Sequence, residues 1–295
     1  MISYTLNIAD YKILFQAKGD KLSLVPSPPQ ESFISNTRDY DIVLNISRAN
    51  VKIFEGAEIV FRAPYVEEIN GVAVKKNDKF WTVYKHGDYI LVHTSMPLSE
   101  SINEALLIIR PGEKAWDIII DSKLNEINPI EYPLDGLLIY YLTALKGDIF
   151  IHGSGVQYQG KGYLFSGPSG KGKTTIARIF NEKGAGVVHD DRLIIRKRGE
   201  NYFMYNTPVY NNEKSSSAEL HGIYLINHSE TNHIEQVSNV EALSSVMSNC
   251  IQHHWNSSMI AVLTGAIMDL TEIISVKKLG FIPDSSVVDF VANDQ

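Results

Sequence analysis

Residues 162–180, Gly162-Tyr163-Leu164-Phe165-Ser166-Gly167-Pro168-Ser169-Gly170-Lys171-Gly172-Lys173-Thr174-Thr175-Ile176-Ala177-Arg178-Ile179-Phe180, decide how the chain reads. The first five residues form a short apolar strand, and Gly167 to Thr174 fit the pattern G-x-x-x-x-G-K-T. Ile176, Ile179 and Phe180 then recur at helical spacing, giving one apolar face to a helix over Thr175–Lys183. Strand, glycine-rich loop and helix follow in the order that a phosphate-binding loop (Walker A motif) requires. The glycines let backbone N–H groups turn inward around a phosphate, and the helix N-terminus adds partial positive charge. Lys173 neutralises phosphate oxygens, and the Thr174 hydroxyl can reach Mg²⁺. The expected nucleotide-binding residues are therefore Gly167, Ser169, Gly170, Lys171, Gly172, Lys173, Thr174 and Thr175, and the expected ligand is ATP or GTP with Mg²⁺.

A second feature follows the loop helix. After Gly184-Ala185-Gly186, the apolar Val187-Val188 leads into His189-Asp190-Asp191. A mononucleotide-binding fold places its metal-side carboxylate at the end of a strand beside the loop. Two adjacent carboxylates can divide the work, one taking a proton from an attacking hydroxyl and the other holding Mg²⁺ or its water. Upstream, His152 closes a strand at Ile149–Ile151 and is followed by Gly153-Ser154-Gly155, which suggests tight backbone approach at a site wall. His253-His254 are adjacent and would point to different faces of a helix, so they do not chelate as an i, i+4 pair would.

The rest of the chain sets bounds. Its 295 residues suffice for one large or two ordinary domains, and 44% hydrophobic with 21% charged residues is the composition of a soluble globular protein. A net charge of −7 opposes a nucleic-acid partner, and the short clusters Lys75-Lys76 and Arg196-Lys197-Arg198 read as solvated strand ends. No apolar run approaches a membrane span, and no signal peptide is legible. The lone cysteine, Cys250, reads as a small buried hydrophobe on a helix, and together these features give a cytoplasmic expectation.

Residues 1–130 read as a β-rich domain with strands at Ile2–Ile8, Tyr11–Gln16, Ile42–Ile46, Glu58–Arg62 and Trp116–Ile120. A hairpin spans Trp81–Val92 and turns at His86-Gly87-Asp88, while Pro26–Ser32 reads as a surface loop of polyproline character. Residues 131–295 read as α/β. A buried helix covers Leu137–Leu145, and strands fall at Asp148–His152, Gly155–Tyr158 and Gly222–Ile226. A hairpin joins Leu193–Lys197 to Tyr202–Asn206, and helices cover Asn239–Asn249, Met259–Leu270 and Asp284–Val291.

Taken together, Ile151-His152-Gly153, Gly167–Thr175 and Val188-His189-Asp190-Asp191-Arg192 resemble the core of the HPr kinase/phosphorylase superfamily, which is itself distantly related in fold to ATP-dependent phosphoenolpyruvate carboxykinases. The resemblance covers roughly residues 133–295. It implies an α/β P-loop kinase domain behind a β-rich N-terminal domain, ATP as the nucleotide, and self-association. It also implies that Asp190 is the base for a serine hydroxyl, with His152, Lys173 and Asp191 supporting transfer. Glu219-Leu220-His221-Gly222 aligns with a Glu-Ile-Arg-Gly segment whose Glu helps bind metal, so Thr174, Asp191 and Glu219 form the implied metal set, with Glu213 as the other candidate.

The long glycine-rich signature and the C-terminal basic loop of true HPr kinases are not found. The chain looks instead like the HPr-kinase-related proteins encoded beside peptide-modification genes, including lasso-peptide kinases. A peptide, a protein or a small hydroxylated molecule is then the expected acceptor, with the β-rich half recognising it. A nucleotide-dependent binding module without transfer stays open as an alternative. A GTPase switch is disfavoured, because the chain lacks an Asn-Lys-x-Asp motif.

Overall fold

The computed structural model describes residues 2–19, 22–63, 68–69, 72–73, 80–96, 99–209, 214–251 and 255–294. Lys75-Lys76, Glu213 and His253-His254 lie outside the described residues. The chain forms two compact units, Met1–Ile139 and Tyr140–Gln295, divided later than the change of composition near Pro129 suggests.

The first unit consists almost wholly of strands: β1 (Ser3–Ile8), β2 (Tyr11–Ala17), β3 (Ser23–Leu24), β4 (Ile42–Arg48), β5 (Glu58–Arg62), β6 (Glu68–Ile69), β7 (Val72–Ala73), β8 (Trp81–His86), β9 (Tyr89–Ser95), β10 (Glu104–Ile109), β11 (Ala115–Asp121) and β12 (Glu126–Ile127). Eight of them form one sheet in the order β1-β2-β4-β11-β10-β9-β8-β5. The β8–β9 hairpin turns at Gly87-Asp88. Strand β10 was not legible in the sequence, because its run Ala105–Ile109 is uniformly apolar and lacks alternation. Pro26–Ser32 is not a polyproline loop. Pro28–Glu31 forms one helical turn (α1), in which the Ser27 N–H donates to Gln30 Oε1 at 3.1 Å and Gln30 is buried. Pro28 sits in the first turn, where its missing N–H costs nothing.

Helix α2 (Leu134–Lys146) is apolar around most of its circumference and buried along most of its length. The second unit contains β13 (Ile149–Tyr158), β14 (Lys161–Ser166), α3 (Lys173–Glu182), β15 (Gly186–Arg198), β16 (Asn201–Tyr205), β17 (Ser217–His228), β18 (His233–Gln236), α4 (Asn239–Asn249), α5 (Ser257–Ile273), β19 (Ser275–Phe281) and α6 (Ser286–Ala292). Its sheet runs β14-β13-β15-β16-β17-β19-β18, and an additional β14–β17 pairing closes the first five strands on themselves. β14, β17 and β19 are mutually parallel, while β13 and β15 run antiparallel to their neighbours.

Alternating residues serve two helix layers. Tyr163, Phe165, Tyr224 and Ile226 pack with Ile176 and Phe180 of α3 and Val288 of α6. Leu164 and Ile223 face the opposite side, with Val246 of α4 and Ile267 of α5. Phe180 is fully buried against Phe165 at 5.1 Å, and burying such a side chain contributes about 2–3 kcal/mol. Lys277 donates to both carboxylate oxygens of Asp294 (2.9 and 2.8 Å), and the Tyr224 hydroxyl donates to Asp294 at 2.8 Å, which ties the end of the chain to the sheet. No helix among the described residues is long and apolar enough to cross a membrane.

Two expectations about these strands are corrected. Asp148–His152 and Gly155–Tyr158 are one continuous strand, β13, because Gly153-Ser154-Gly155 is extended. β15 likewise continues past Asp191 to Arg198, so the carboxylate pair lies inside the strand and not at its end. β15 also does not adjoin β14, because β13 lies between them.

Candidate active site

The loop begins where β14 ends. Gly172 caps α3 at φ 96°, in the left-handed region that favours glycine, and supplies no side-chain cap to the helix. A Cβ at Gly172 would lie 2.9 Å from both His228 Cε1 and Phe281 Cζ, so this position needs glycine for space as well. The loop presents the uncapped end of α3 to an open cleft of about 330 Å³. Lys173 Nζ donates to Gly167 O (2.8 Å) and Pro168 O (3.1 Å), folding back over its own loop. Burial holds its pKa below the ordinary lysine value, although Asp191 and Asp190 pull it upward. A lysine engaged only with backbone carbonyls in a half-buried cradle is chemically suited to exchange them for phosphate oxygens.

The same cleft is lined by Ser169, Gly170, Thr174, Thr175, His152, Asp190, Asp191 and His228. The register explains why. Gly153 pairs with Ser166 on one side and Asp191 on the other, and Ser154 pairs with Phe165 and Asp190. The carboxylates thus stand level with the start of the loop, two strand spacings away, roughly 10 Å across the sheet.

The two carboxylates have different surroundings. Asp191 Oδ1 meets His152 Nδ1 at 3.1 Å, and Asp191 Oδ2 meets Arg192 Nε at 3.1 Å. Burial alone would raise the Asp191 pKa, but the His152 hydrogen bond, Arg192 and His189 together bring it below the usual carboxylate range. Asp190 instead accepts the hydroxyl of Ser154, a fully buried neutral donor. Asp191 is thereby fixed by two partners that can carry positive charge, and Asp190 is held by a neutral hydroxyl. Among the described residues no group of three His, Cys, Asp or Glu side chains could hold a metal by itself. The oxygens of Thr174, Asp190 and Asp191 that line the cleft are donors of the kind Mg²⁺ takes, one or two from protein with phosphate and water completing its shell.

Two readings of the sequence do not hold in this arrangement. Gly162 pairs with Leu220 and Ser166 with Leu225 along parallel strands, so Glu219 sits at the end of β17 remote from the loop. Six residues of strand, roughly 20 Å, separate it from the level of the loop, too far to share a cation with Thr174. The close approach at Gly153 and Gly155 is core packing, against Leu164 and against Leu193 and Met204 respectively, and not a wall of the cleft. His228, which sequence reasoning passed over, stands at the cleft end of β17. The available signal was its place just after the apolar run Ile223–Ile226, at the carboxyl end of a strand parallel to β14.

The chain is related to the HPr kinase/phosphorylases. A stretch of 126 residues is 32% identical to the HPr kinase/phosphorylase of Chlorobium luteolum, covering 41% of this chain and 36% of that protein. The corresponding enzyme of Chlorobium limicola is 43% identical over 67 residues, 21% of this chain and 20% of the relative. That of Mycoplasmopsis pulmonis is 29% identical over 133 residues, 45% and 37% of the two chains. The chain spans little more than a third of the length of the curated relatives it matches. A solved structure of the Hpr(Ser) kinase/phosphatase from Coxiella burnetii aligns over 48% of this chain and 93% of that one, at 11% identity and a TM-score of 0.28, too low to bear on the fold. The family described as SynChlorMet cassette protein ScmC matches residues 121–268, half of the chain, and the chain belongs to that family. It is thus a relative of the HPr kinase/phosphorylases and not one of them.

Proposed function

We propose that this chain is an ATP-dependent kinase that transfers the γ-phosphoryl group to a serine or threonine hydroxyl of a peptide or protein. The observation that carries this reading is the convergence of the loop, Lys173, Thr174, Asp190, Asp191 and His152 on one cleft. A passive nucleotide binder needs the loop but has no use for a carboxylate held ready by a buried hydroxyl.

Loop N–H groups and Lys173 bind the β- and γ-phosphates and fix their orientation. The Thr174 hydroxyl, with a carboxylate of the pair, would hold Mg²⁺, which when bound neutralises charge on the transferring phosphoryl group. Asp190 accepts the proton of the acceptor hydroxyl as its oxygen bonds to the γ-phosphorus. The bond to the β–γ bridging oxygen breaks, and ADP leaves. Asp191 holds His152 in place at the cleft, and positioning supplies most of the acceleration. The reading includes a cytoplasmic setting, which rests on the sequence carrying a single cysteine.

The test is incubation with Mg²⁺ and γ-labelled ATP alongside a pool of peptides, proteins and small hydroxylated metabolites from the source cell. Label on a seryl or threonyl residue is the expected outcome. Label on a small molecule would move the acceptor class, and tight ATP binding without transfer to any fraction would overturn the kinase reading.

A further inference from the structure

A separate cavity, of about 160 Å³, lies at the other end of the strands that lead to the loop. Lys161, which lines it, starts β14, six residues or roughly 20 Å before Gly167. Gly222 of β17 and Ser275 of β19 pair with each other and bound it next to Lys161. Lys277 and Asp294 close it from β19 and from the stretch after α6. The phosphate chemistry described above does not reach this place.

Donors and acceptors are unevenly matched there. Asp294 is fully engaged, because Lys277 donates to both of its oxygens and the Tyr224 hydroxyl donates to it as well. The surrounding donors are not engaged. Tyr163 is only 4% exposed, yet its hydroxyl has no hydrogen-bond partner among the described residues. Burial, and then the charge of Asp294, push the Tyr163 pKa up, so the hydroxyl keeps its proton and can donate. Lys161 is exposed and forms no ion pair among the described residues. His221 Nδ1 lies 3.2 Å from Gly162 N and 3.0 Å from Glu219 O, which leaves Nε2 without a partner among the described residues. The same holds for the Ser275 hydroxyl. A buried hydroxyl left unpaired is unfavourable, and a ligand that accepts from it relieves this.

We infer that this cavity binds a small monocarboxylate, with Lys161, Tyr163 and His221 donating to its oxygens. An ammonium and neutral donors, beside an aspartate already engaged, select a group that only accepts, and an ionised carboxylate is one. Two lysines and one aspartate leave one net positive charge in the lining, which matches a monoanion. The rings of Tyr163 and Tyr224, with centroids 6.2 Å apart, give an apolar flank for a short hydrocarbon chain. The volume is smaller than the roughly 300 Å³ at which sites for drug-sized ligands begin, so the acid has few heavy atoms. Nothing in this depends on the kinase reading.

The experiment is saturation-transfer NMR of propionate with the full chain, with inorganic phosphate followed by phosphorus NMR as the second probe. Saturable transfer to the propionate protons is expected. Lys161→Gln, at an exposed position, should weaken propionate binding at least about tenfold, the worth of one charge-assisted hydrogen bond, and keep the urea midpoint of the unaltered chain. Tyr163→Phe deletes only the hydroxyl and should weaken binding at least about threefold. Lys173→Ala should leave it within about twofold, because the loop lies at the far end of β14. Binding abolished by Lys173→Ala and spared by Lys161→Gln would place the anion on the loop and overturn the inference. Absence of saturable transfer, or saturable binding of phosphate alone, would overturn it as well.

Discussion

Replacing Asp190 by Asn separates binding from chemistry. The amide is nearly isosteric with the carboxylate, and its oxygen can keep accepting the hydroxyl of the buried Ser154, so the fold of β13 and β15 is kept. The phosphate contacts come from other residues, so ATP affinity should change by less than about threefold. The base is lost, and general-base catalysis contributes about 10²–10⁴-fold, equivalent to roughly 3–5 kcal/mol of barrier. Ser154→Ala is the graded partner. Removing the donor loosens the carboxylate without deleting it, so phosphotransfer should fall by no more than about tenfold, the worth of one hydrogen bond. The assay is a single-turnover quench with γ-labelled ATP and the acceptor, paired with calorimetric ATP binding for each variant. If Asn at this position retained more than a tenth of the rate, or lost binding as deeply as turnover, Asp190 would not be the base.

Three further outcomes are expected. Lys173→Ala should lose ATP binding and turnover together, by about 10–100-fold, the worth of one charge-assisted hydrogen bond; because burial lowers the Lys173 pKa, ATP affinity in the unaltered chain should decline with rising pH before an ordinary lysine titrates, and a profile flat through that range would contradict the site geometry. Asp191→Asn should destabilise the fold by about 1–2 kcal/mol near neutrality, as read by urea unfolding. Since the folded-state pKa of Asp191 is depressed, its stabilisation exists above the ordinary carboxylate value and is lost as pH falls through the folded value, so the two proteins should converge in acid; a gap that showed no narrowing as the pH fell below the ordinary carboxylate value would mean another origin. Asp294→Ala deprives the buried Lys277 ammonium of its carboxylate and should cost about 3 kcal/mol while leaving ATP affinity of the folded protein unchanged; loss of ATP affinity without loss of stability would refute a purely structural role.

The loop was legible because its chemistry is local. Every group that shapes Gly167–Thr174 lies within the segment or its flanking strand and helix, so spacing alone shows it. The Asp190-Asp191 pair was legible as a candidate for the same reason, but not its setting: the continuation of β15 to Arg198 depends on pairing with β13 and β16, which no periodicity in residues 186–191 reveals. Glu219 shows the opposite failure. A short sequence match placed it near a metal, whereas the parallel register of β14 and β17 puts it at the far end of the strand. Register is set by contacts between segments distant in sequence, and it decides which residues of a strand reach a given end.

From the sequence alone came the phosphate loop, the carboxylate pair, the strand-rich first half and the α/β second half, since each follows from periodicity and motif spacing within a short window. Tertiary structure decided what those windows omit. It brought His152, Asp190 and Asp191 level with the loop across an intervening strand, gave the two carboxylates different partners, removed Glu219 and admitted His228. The physical reason is that a site on a sheet is assembled by strand order and register, and these are properties of pairs of segments that no single segment encodes.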